Sequence, residues 1–147
     1  MMGWQRWSIA MVVVATVMAL GLPTAVAEET ITVEVRTIHA TPEGDEIDEE
    51  LKDMENRLRQ GITNYSSFRQ LNRERHQVEK GGAAEFELPT DDLLTIRFDG
   101  LEDDFVRLGL TLGSRLDTSL RASSGSTFFQ AGLRYEDGLM VLAITVE

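Results

Sequence analysis

Cysteine is absent from the chain. That excludes disulfides, thiolate metal sites, thiol nucleophiles and lipid attachment through a cysteine. Histidine occurs twice, as His39 and His76, and the two do not stand at a metal-ligand spacing. Each reads as a surface histidine. The chain contains no zinc-protease helix motif, no G-x-S-x-G elbow and no phosphate-cradling glycine loop. Nothing in it calls for a cofactor. Basic residues are scarce, with 14 Lys and Arg against 25 Asp and Glu, a net charge of −11. Affinity for nucleic acid rests on neutralising phosphates with cations, so DNA and RNA are not expected as partners. Aromatic residues make up 7% of the chain and the last residue is Glu147. An eight-stranded membrane barrel, which needs aromatic girdles at both interfaces, is therefore not expected.

One long apolar run is present, from Ile9 to Leu22. It follows a short start bearing Arg6, breaks at Pro23 and ends in Ala25-Val26-Ala27. Small residues at the positions a signal peptidase requires make residues 1–27 a cleaved secretory signal. The run is shorter than the roughly 20 residues that span a bilayer, and no basic stop-transfer cluster follows it. The expected mature chain starts at Glu28 and is not membrane-embedded. It is one β-rich domain, 28–147, in the periplasm or outside the cell. Arg6 is the only charge before Glu28, so the mature chain carries −12. A domain of this size without disulfides must rely on its packed core.

"TITVEVRTI" alternates, with Ile31, Val33 and Val35 opposite Thr32, Glu34 and Arg36, which predicts a half-buried strand. Pro42 and Gly44 break it. "DEIDEELKDMENRLRQG" then sets Ile47, Leu51, Met54 and Leu58 in one helical stripe, with Asp45 able to cap the start and Gly61 to stop the end. From Ala83 the pattern is β. "AEFEL", "LLTIRF", "FVRLGLTL", "RLDTSLRA", "STFFQAGLRY" and "LMVLAITV" are separated by turns such as Ser123-Ser124-Gly125 and Glu136-Asp137-Gly138. The last segment is apolar on both faces and reads as a central strand covered on both sides. The expected fold is mainly β (α+β). It is an antiparallel β-sandwich or small barrel-like domain with one helix after the first strand.

"YSSFRQLNRERHQVEKGG", residues 65–82, is the one net-basic stretch. Phe68, Leu71, Arg75 and Val78 fall at helical spacing, and as a strand the segment needs a bulge, because Leu71 lies opposite Phe68 and Val78. Ile47-Asp48, Tyr65 to Phe68, Leu88-Pro89 and the run from Gly125 through Ile144 resemble a family of small uncharacterised exported proteins of proteobacteria and myxobacteria. The resemblance spans most of the mature chain through short motifs and brings no activity with it. It implies that the basic stretch is a strand, closed by the turn Glu79 to Gly82. "GSTFFQAGLRYEDGLMVLAITV" also resembles a hairpin near the end of secretin channels, in features common to hairpins.

On the strand reading, Arg69, Arg73 and Arg75 project from one face and Glu74 and His76 from the other. The arginines are candidates for an anion-binding or partner-docking ridge. The plainer expectation is charge complementarity with the acidic stretches that flank them. Asp99, Glu102, Asp103 and Asp104 are candidate calcium ligands, without the spacing of a helix-loop-helix calcium site. The function expected is a non-catalytic binding or assembly module of the cell envelope, with an envelope protein as partner. The alternatives are a small hydrolase or carbohydrate-active enzyme with a loop-built site, and an accessory component of an outer-membrane secretion or pilus machine.

Overall fold

The computed structural model describes residues 29–147, and the predicted signal segment lies outside them. Eight strands form two four-stranded sheets in which each neighbouring pair is antiparallel. The strands are β1 (Thr30–Thr41), β2 (Ser67–Glu79), β3 (Ala83–Glu87), β4 (Leu93–Glu102), β5 (Phe105–Leu112), β6 (Leu116–Ser123), β7 (Thr127–Tyr135) and β8 (Gly138–Val146). The first sheet has the order β2-β1-β8-β7 and the second the order β3-β4-β5-β6. Helix α1 (Glu55–Gly61) follows a 3-10 segment, Glu49–Met54, in the connection after β1.

The doubly apolar final segment explains the layering. Met140, Leu142, Ile144 and Val146 of β8 face the second sheet, and meet Leu94, Ile96, Phe98, Leu108 and Leu110 across the sandwich core. Val141 and Ala143 face the other way, onto Leu51, Met54 and Leu58 beneath the helical segment. Each fully buried leucine of this kind contributes about 2 kcal/mol through removal from water. The first sheet is thus covered twice, by a sheet and by a helix. Strand β1 shares that cover, so its second face, read as solvent-facing, carries Glu34 and Arg36 at 7% and 8% exposure.

The basic stretch is strand β2, paired along the whole of β1 from Thr30↔Glu79 to Thr41↔Ser67. Its closing turn has Gly81 at φ 85°, where an L side chain is strained, and the Gly82 N–H donates to the Glu79 carbonyl at 2.8 Å. The pairing shifts register between Thr37 and Ile38, which face Asn72 and Gln70 and leave Leu71 as the extra residue of a bulge. One added residue reverses the faces downstream. Phe68 therefore packs under the helix and Val78 in the sandwich core, although an unbroken strand would put both on one face.

The helix is shorter than its stripe predicts. The Phe68 N–H donates to the Glu46 carbonyl at 2.9 Å and the Asp48 N–H to the Phe68 carbonyl at 3.1 Å. Residues 46–48 are thereby committed to a short parallel pairing with β2, and helical turns begin only after Asp48. Asp45 caps nothing and pairs with Arg59 at 3.0 Å, whereas Asp48 Oδ2 accepts the Gln70 N–H at 2.8 Å beside the bulge.

Candidate functional site

The bulge decides the fate of the arginine ridge. Arg73 and Arg75 lie opposite Arg36 and Glu34 on β1, and Arg69 lies opposite His39 on the other face. The three arginines do not share a face, because Leu71 intervenes. Glu34 Oε2 receives Arg73 Nε at 3.2 Å and Arg75 Nη1 at 3.6 Å, and Glu34 Oε1 receives Arg36 Nε at 3.3 Å. Arg36 continues to Asp53 at 3.0 Å and Arg75 to Glu147 at 3.3 Å. Burial alone works against the Arg36 charge. The hydrogen bonds and charges of Asp53 and Glu34 outweigh it and lift Arg36 above the usual arginine range. Arg73 and Arg75 are therefore spent on a buried carboxylate within the fold.

The four acidic candidates near the β4–β5 turn do not converge. Glu102 turns to Arg107 at 3.5 Å and to Arg121 at 3.4 Å, and Asp103 sits in the turn itself at φ 56°. Among the described residues, the groups that meet at metal-ligand distance are His39, Glu136 and Asp137, whose ligand atoms lie within 4.8 Å of one another.

This second cluster forms at the end of the first sheet. His39, next to last on the core-facing parity of β1, pairs with Met140 of β8 and is only 5% exposed, not a surface residue. The tight turn Tyr135↔Gly138 sets Glu136 and Asp137 beside it. Gly138 is required there: a Cβ would lie 2.0 Å from the Ala40 carbonyl oxygen and 3.2 Å from His39 Nε2. Tyr135 fixes the imidazole edge-on, with ring centres 5.1 Å apart and planes at 87°. Asp137 Oδ1 approaches His39 Nε2 to 3.5 Å, a charge-pair distance without hydrogen-bond alignment, so this buried nitrogen has no hydrogen-bond partner.

A cavity of about 280 Å³ opens in front of the cluster. Thr41 and His39 of β1, Ser67 and Arg69 of β2, and the Glu136-Asp137 turn form its walls, with Glu46 and Asp48 at the entry to the helical segment. Ser67 Oγ donates to the Glu43 carbonyl at 2.6 Å and accepts the Glu46 N–H at 3.1 Å, so its hydroxyl holds a loop. Sequence reasoning missed His39, Glu136 and Asp137. Their meeting depends on the first strand pairing with the last, and the one local signal is the parity His39 shares with Val33 and Val35.

A second opening lies at the other side of the sandwich. On the β2 and β3 side, where those strands are also sheet edges, the connecting turn is tied to β4: the Gly81 N–H donates to the Phe98 carbonyl at 2.8 Å and the Phe98 N–H to the Gly82 carbonyl at 3.1 Å. Strands β6 and β7 occupy the edges of their sheets and, among the described residues, share no backbone pairing beyond the Ser123 to Ser126 turn. Between them runs a cleft of about 210 Å³ whose apolar walls are Leu112, Leu116, Leu133 and Leu142. A bulge at Ala131 and Gly132 locally interrupts the β7 pairing with β8. No family model, curated protein or solved structure matches the chain.

Proposed function

We propose that the protein is an exported cell-envelope domain that binds a protein partner without catalysis. The observation that carries this reading is the open β6–β7 seam, where two unpaired strand edges flank a leucine-lined cleft. Free edges offer backbone hydrogen bonds to an extended segment, and apolar clefts beside them take its alternate side chains. Export is supported by the leader pattern before Glu28, and the first strand opens two residues later, at Thr30. No described helix is long and apolar enough to cross a membrane. The resemblance to exported proteins points the same way. The His39 and Asp137 pair favours a second reading, a small hydrolase with a loop-built site. Against it stands the engaged hydroxyl of Ser67, the serine of that cavity.

The test is affinity capture of the tagged protein from the envelope of its producing cells, beside the variant Ala131→Lys. Ala131 is exposed at the seam, and a lysine on an edge opposes strand addition without disturbing the core. The expected result is a stoichiometric partner that the variant loses while keeping its unfolding midpoint. A monomer that captures nothing, or equal capture by the variant, contradicts the seam reading. Hydrolysis of an ester or glycoside that His39→Gln abolishes would favour the enzyme instead.

A further inference from the structure

We infer that His39, Glu136 and Asp137 form a binding site for a divalent transition-metal ion of the zinc class. Two independent observations meet here. Three ligand-capable groups lie within 4.8 Å of one another, and the imidazole nitrogen among them is buried, unpartnered and 3.5 Å from the Asp137 carboxylate that lines the same cavity. A buried polar atom without a hydrogen-bond partner calls for a physical reason, and an ion is one such reason. The surroundings explain why the nitrogen stays available. Tyr135 holds the ring edge-on, the β1–β8 pairing holds its backbone, and Gly138 has no side chain to cover Nε2.

The donor set selects the metal. One imidazole with two carboxylates suits zinc and its neighbours, whereas calcium and magnesium prefer all-oxygen shells of six or more ligands. Bonds of about 2.0 to 2.2 Å need the donors roughly 3.3 Å apart in a tetrahedral shell. Both carboxylates are on an exposed turn and only the histidine is buried, so the closing movement falls to side chains free to rotate. The cavity leaves the remaining positions open to water or to an anionic group. The site spans the start of β8 and the end of β1, so a bound ion would clasp the β7–β8 turn onto the first strand.

The experiment is isothermal titration of Zn²⁺ into the chelator-stripped full chain, with Ca²⁺ as the comparison ion. The expected result is one Zn²⁺ per chain and no heat from Ca²⁺. The double variant Glu136→Gln, Asp137→Asn should weaken zinc at least tenfold. It alters two exposed side chains, so folding is retained and can be checked by circular dichroism. His39→Gln should do the same, and the control Asp103→Asn, Asp104→Asn should bind as the parent does. Absence of zinc binding overturns the inference. So does zinc affinity within threefold of the parent in the turn variant, its loss in the control, or calcium bound through the same residues.

Discussion

At Glu34 a carboxylate with 7% of its surface exposed meets Arg36 from its own strand and two arginines from the next. Removing it leaves Arg36, itself 8% exposed, with Asp53 as its remaining carboxylate, while Arg73 and Arg75 can still turn to water. Breaking a buried pair from one side costs about 3 kcal/mol, and the half-exposed arginines contribute less than about 1 kcal/mol each. Because Arg36 keeps Asp53, Glu34→Ala should lower unfolding stability in urea by about 2 kcal/mol, and Arg73→Ser by less than about 1 kcal/mol. Equal losses for the two would show that Glu34 is not the centre of the network. The alternation of "TITVEVRTI" revealed which residues share a face, yet not that both faces are covered. That depends on β8 and the helix, more than a hundred and about twenty residues away along the chain. The same distance hid His39, whose partners come from the last turn.

Among the elements, β2 shows most clearly how one residue redirects the side chains on both sides of it. Its local spacing is helical, yet pairing along all of β1 makes it a strand, and the bulge at Leu71 keeps both Phe68 and Val78 buried on opposite faces. The same bulge breaks up the arginine ridge. It sends Arg69 to the cavity in front of His39 and leaves Arg73 and Arg75 to Glu34. Deleting Leu71 removes the bulge and forces either Phe68 or Val78 outward. Exposing such a side chain and emptying its site costs about 3 kcal/mol or more. The deletion should abolish cooperative thermal unfolding or lower its midpoint by about 10 °C or more, and an unchanged melt would contradict the assigned register. The helix carries a parallel lesson: the stripe Leu51, Met54 and Leu58 was legible because it is local. Its late start was not, because it follows from hydrogen bonds between residues 46–48 and Phe68.

For the molecule as a whole, two stacked sheets and the leucine-walled cleft between their β6 and β7 edges carry the proposed reading. The layers were legible from strand spacing and the doubly apolar last segment; the seam was not, because it arises from which strands become edges. Core packing without disulfides makes the scaffold, and the unpaired β6 and β7 edges make the surface that would receive a partner. The most direct measurement is photo-crosslinking in the intact producing cells, with the reactive side chain at Gln130 on β7, and at Glu85 on the opposite edge strand β3 as comparison. The expected result is one discrete adduct from Gln130, with none from Glu85. Adducts from Glu85 alone, or none from either position, would contradict the seam as the binding surface.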